Sequence, residues 1–159
     1  MKAVLLAAVL SWMHTLAGPT LPKAAPAIAD VIVLAVAEDT EPPVLQTRAQ
    51  DAALMTKTVW NESHFELNPK PWKIEWTGLW CGPFQETCAT MPPTLLGQAR
   101  RALWLLHRGA ESCPESPAAP YLGGCRGGEA RREGDRRLTG ALELVGGLAA
   151  SPDEFALIL

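Results

Sequence analysis

The sequence predicts an α+β fold. The expected unit is a small disulfide-stapled domain over residues 27–109, built from short antiparallel strands and one amphipathic helix, with a flexible tail over 110–159. Three observations lead there. Trp72 to Thr77 alternates apolar and polar residues with period two, the mark of a half-buried strand. Leu95, Leu96, Ala99, Ala102, Leu103 and Leu106 recur at three- and four-residue spacing, the mark of a helix packed on one side. Four cysteines, Cys81, Cys88, Cys113 and Cys125, supply two staples.

The first segment, residues 1–17, reads as a cleavable signal peptide. Lys2 carries the positive charge, Ala3 to Met13 form an apolar stretch broken only by Ser11, and Thr15 and Ala17 are small enough for cleavage before Gly18. The apolar stretch is too short to span a bilayer as a helix. Residues 18–26, rich in Pro and Ala, then form a flexible lead.

Val31 to Leu34 is a short β-branched apolar run, stopped by acidic and proline residues at Glu38 to Pro43, and reads as a buried strand. Leu54 to Trp60 is rich in strand formers, and Asn61-Glu62-Ser63 reads as the turn after it. Residues 56–67 resemble the central strand pair of C2 domains. The aspartate loops that hold calcium in that family are not found at matching positions and the inter-strand segment is too short, so no residue role is carried over. The helix over 94–108 starts on Thr94 as cap and ends on Gly109, with His107 and Arg108 set in its last turn against the helix dipole.

Behind Gly109 the texture changes. Pro114, Pro117 and Pro120, two Gly-Gly pairs and the charged run Glu129 to Arg137 show no apolar periodicity, which predicts a largely disordered tail. Ser151 to Glu154 forms a capping box with little helix after it. All five lysines lie at or before Lys73, and eight of nine arginines at or after Arg100, a shift that suits a C-terminal third taken from another reading frame or splice form.

Several function classes are disfavoured. A formal charge of −3 gives no footprint for nucleic acid or an anionic membrane. The cysteines have neither CxxC nor HxxxH company, so disulfides rather than zinc are expected, with Cys81–Cys88 and Cys113–Cys125 favoured among three pairings because each short loop is flanked by Gly and Pro. His64 and His107 have no nucleophile elbow or other catalytic context, so no catalytic, cofactor or metal residue is assigned. What remains is a secreted, non-enzymatic glycoprotein that binds an unknown protein or apolar ligand. Asn61 is its glycosylation acceptor, and Trp60, Trp72, Trp76 and Trp80 form a tryptophan-rich face. The alternative is a secretory precursor cut at Arg131-Arg132 and Arg136-Arg137 to release a C-terminal peptide.

Overall fold

The computed structural model describes residues 2–68, 72–74, 78–120, 125 and 128–148. Among them the chain is mostly helical, which overturns the expected strand-rich domain with a single helix. The order is α1 (Lys2–Ala17), α2 (Ala25–Glu38), α3 (Arg48–Ser63), β1 (Trp72–Ile74), β2 (Gly78–Cys81), β3 (Glu86–Thr87), α4 (Leu95–Ser112) and α5 (Gly128–Leu148).

The expected strand at Val31–Leu34 lies inside α2. Its buried set is Ala25, Ile28, Ala29, Ile32, Val33, Ala35 and Val36. That is a three- and four-residue recurrence, and the alanines around the β-branched run carry the helix propensity. Pro26 sits in the first turn, where its missing N–H costs nothing.

The second expected strand, Leu54–Trp60, lies inside α3. This helix packs against α1, α2 and α5, so it is buried on several sides and shows no single apolar stripe. Two of its hydroxyls bond back along the helix: Thr56 Oγ1 donates to Ala52 O at 2.7 Å and Ser63 Oγ to Val59 O at 3.0 Å. Thr47 and Gln50 form a capping box at its start. The turn expected at Asn61–Ser63 comes later, at His64 and Phe65, both with positive φ, and Phe65 drops into the core.

Among the described residues the strands form one small antiparallel sheet in the order β1-β2-β3. Trp72 is the register partner of Trp80, and Cys81 of Glu86. The expected strand over 72–77 is described only for 72–74. Cys81 and Cys88 are disulfide-bonded around the β2–β3 turn, and Cys113 and Cys125 across the α4–α5 connection, in the favoured pairing.

Helix α4 covers the expected 94–108 span, with Thr94 Oγ1 accepting from the Gly97 amide at 3.1 Å. It runs on to Ser112, so Gly109 does not end it. Gly109 is instead buried within the helix, and a β-carbon there would meet the Pro117 carbonyl. The glycine lets the 113–120 segment lie directly on α4.

The tail is corrected too. Residues 128–148 form α5, with Gly134, Arg137, Ala141 and Leu144 buried at three- and four-residue spacing. Two of those four positions are a glycine and an arginine, which is why the helical stripe shows no apolar pattern. The capping box at 151–154 lies outside the described residues.

Candidate functional site

Two places gather polar chemistry against the bundle. The first is the α3–α5 junction with the seat of α1 beside it. The apolar stretch of α1 belongs to the core: Val9 and Met13 are fully buried, with Leu5, Ala8 and Trp12 nearly so. Trp12 Nε1 donates to the Leu144 carbonyl of α5 at 2.9 Å. Lys2 Nζ meets Glu38 Oε1 at the end of α2, also at 2.9 Å.

A cavity of about 330 Å³ opens next to this seat, between Trp12 and Leu16 of α1, Lys57 of α3, and Glu143, Leu144 and Gly147 of α5. A larger cleft of about 610 Å³ lies between α3 and α5, lined by Lys57, Asn61, Glu133, Asp135, Arg136 and Thr139. Lys57, Gly140 and Glu143 border both. Gly140 matters because a β-carbon there would press on Lys57 Cε, so the glycine lets the lysine stem lie along α5.

A charge network joins the cleft residues Asn61, Glu133 and Arg136 to Arg137 and Glu62 beside them. Arg137 is 4% exposed and its Nη1 lies 2.7 Å from Glu62 Oε1, while its Nε donates to Glu133 Oε1 at 3.2 Å. Asn61 Nδ2 donates to the same Glu133 oxygen at 3.0 Å, and Arg136 pairs with the other oxygen at 3.1 Å. The candidate acceptor Asn61 therefore stands in the last turn of α3, facing the cleft.

The second place is a clamp at the C-terminal end of α2. His107 Nε2 and Arg48 Nη1 both reach Asp39 Oδ2, at 2.8 and 2.7 Å. Burial pushes the Asp39 carboxyl up, but the bonds from His107, the Glu41 amide and Arg48 outweigh it and hold it below the usual carboxylate range. His107 Nδ1 faces Glu41 Oε2 at 3.7 Å, and Arg108 takes that same oxygen at 3.0 Å. Asp51, fully buried, accepts the amides of Val44 and Leu45 at 3.0 and 2.9 Å. Its burial raises the pKa against those two bonds. The cluster ties the 39–47 connection to α3 and α4. Among the described residues no hydroxyl or thiol hydrogen-bonds the imidazole, so the arrangement is a clamp. Placement against the helix dipole does not account for His107, because its helix continues to Ser112.

Of the expected tryptophan face, the described residues place Trp60 on α3 and Trp72 and Trp80 on β1 and β2. Trp60 is half-buried on α3, edge-on to His64 with ring centroids 4.6 Å apart and 5.2 Å from Phe65. Trp72 and Trp80 stand opposite each other across β1 and β2, and Trp76 lies outside the described residues. Trp104, not part of that expected face, is half-exposed on α4 with the Arg108 guanidinium 5.9 Å from its ring centre.

The candidate processing pairs lie within α5. Arg131 is held by Asp135 at 2.9 Å and by Glu115 at 2.9 Å, and Arg137 is buried in the network above. Arg132 and Arg136 are exposed. A processing protease needs extended chain, so cutting at either pair requires this part of α5 to unwind.

No protein-family model matches the chain, and no curated protein or solved structure does either. The functional reading therefore stands on geometry. Sequence reasoning missed Lys57, Trp12 and the His107–Asp39 bond. Only Trp12 left a signal, as a bulky indole within the apolar stretch from Ala3 to Met13.

Proposed function

We propose that the protein is a secreted, non-enzymatic binding protein, and that its binding surface is the apolar seat filled by α1 in the uncut chain. One observation supports this above the rest: a single segment, Lys2–Ala17, has the residue order of a leader and also buries Val9, Trp12 and Met13 in the core. Cleavage before Gly18 takes those side chains away. It leaves the faces of α2 and α3 that α1 touches, together with Leu144 of α5, open to water. A contiguous apolar patch of that kind marks an interaction site. The two disulfides suit an oxidising compartment, and no described helix is long and apolar enough to cross a membrane.

The seat is shaped by a helix of 16 residues, about 24 Å at 1.5 Å per residue. Its natural occupant is an apolar helix from a partner protein, docked in the groove mode. The test is to secrete the protein from an expressing cell, determine its N-terminus, and titrate it with a synthetic peptide of residues 2–17 and a scrambled control. An N-terminus at Gly18 with selective uptake of the native peptide supports the reading. A secreted chain still carrying α1, or equal binding of both peptides, sinks it. Uptake of a small apolar dye without peptide discrimination would replace the partner helix by an apolar small molecule.

A further inference from the structure

We infer that a glycan on Asn61 is seated, through its first sugar, in the cleft between α3 and α5, and that it braces those two helices. The inference rests on the secreted reading, since the transfer takes place in the secretory compartment. Asn61-Glu62-Ser63 has the acceptor pattern. In the folded protein that pattern cannot be read. It is the last turn of a helix, and the Ser63 hydroxyl is buried and bonded to Val59 O. Transfer therefore precedes the closing of α3 on α5, and the fold must form around the sugar.

The chemistry leaves room for it. The amide nitrogen of Asn61 forms a bond to the anomeric carbon of a lipid-diphosphate-linked oligosaccharide. The carbon–oxygen bond to the diphosphate breaks, the lipid diphosphate leaves with the electron pair, and the amide gives up one proton. Nδ2 keeps its second hydrogen, and one hydrogen is all that the 3.0 Å bond to Glu133 requires. The anchoring contact survives modification.

The space the sugar needs is the cleft of about 610 Å³ on which Asn61 opens. Its walls mix aliphatic stems with polar groups: Lys57 offers donors, Asp135 and Glu143 offer acceptors, and Thr139 offers both. A sugar ring presents hydroxyls that donate and accept and C–H faces that pack on aliphatic stems, so it suits this mixed lining. All of the lining side chains come from α3 and α5, none from the segment that cleavage would remove.

The experiment uses protein secreted by a glycosylating cell and the same sequence from cells in which N-glycan synthesis is blocked. Peptide mapping reads the N-terminus and the occupancy of Asn61. Native and denatured samples are then treated with peptide-N-glycosidase, and thermal unfolding is recorded for both preparations. The expected result is a chain starting at Gly18 with Asn61 modified, a glycan that resists the enzyme until the protein is denatured, and a melting temperature about 3 °C or more higher than that of the unglycosylated chain. Trimming the glycan to its first sugar should leave that gain intact. Three results overturn the inference and leave the secreted reading standing: an unmodified Asn61 on a chain starting at Gly18, a glycan stripped from native protein as fast as from denatured protein, or equal melting temperatures. An unglycosylated chain that is not exported and keeps its first residues overturns both.

Discussion

Glu86 opens β3 with its side chain only 2% exposed, and no hydrogen bond reaches either carboxylate oxygen. Arg101 Nε stands 3.3 Å from Oε2, but its own side chain is 40% exposed and well hydrated. Burial dominates over that attraction and raises the Glu86 pKa from 4.5 to about 7. Unfolded, Glu86 ionises near its ordinary value. Between pH 4.5 and about 7 the folded protein therefore holds a proton that the unfolded chain has lost, so this residue makes stability fall as pH rises through that window. Its cost is absent below the window and complete above it. The distance from 4.5 to about 7 is some two and a half tenfold steps at about 1.4 kcal/mol each, or about 3 kcal/mol. Glu86→Gln removes the charge at near-constant volume and leaves Arg101 to water. Urea unfolding of both proteins at pH 4, 6 and 8 checks this. The variant should be more stable by about 3 kcal/mol at pH 8, with the gap closing toward pH 4. A gap independent of pH, or a wild type more stable at pH 8, would refute the reasoning and make Arg101 a sufficient counter-charge.

Three further outcomes are expected. Arg137→Ala leaves Glu62 and Glu133 without their shared cation in a nearly closed site and should cost about 3 kcal/mol in urea unfolding, whereas the exposed Arg136→Ala should cost under about 1 kcal/mol. Asp51→Ala strips the acceptors from the Val44 and Leu45 amides and should cost about 2 kcal/mol, with hydrogen exchange accelerated first at those two amides. Replacing both Cys113 and Cys125 by Ser reopens a loop spanning 12 residues and should cost about 2–3 kcal/mol, read as a lowered denaturation midpoint under non-reducing conditions that vanishes when both proteins are reduced.

The legible parts of the sequence were those where one local rule acts alone. The Thr94 cap and the stripe from Leu95 to Leu106 place α4, because that helix has one buried side and one wet side. The disulfide partners followed from loop length and flexible flanks. The strand assignments at 31–34 and 54–60 failed because local β propensity was weighed above alanine content and burial on several sides, which tertiary packing rewards. Helix α5 failed for a different reason. Two of its inward positions, Gly134 and Arg137, are not apolar, and Arg137 is inside only because Glu62 and Glu133 meet it there. No periodicity test sees a partner 75 residues away. The cleft was invisible for the same reason, since it exists only where α3 and α5 cross.

If the chain is cut as proposed, the position of α1 sets a race between two clocks. Thr15 to Ala17 form the last turn of a helix, and a peptidase must draw them into extended chain to cut before Gly18. Once α1 is docked, the fold guards its own cut site. The first seventeen residues leave the ribosome long before α3 and α5, their later neighbours, have been made. Where the peptidase waits at the exit, cutting wins, because the seat does not yet exist. Where the full chain is refolded from denaturant, folding wins, and the seat closes over its own leader. Under the proposed cleavage one sequence would yield two proteins according to the order of events, with the open-seated form arising only during synthesis.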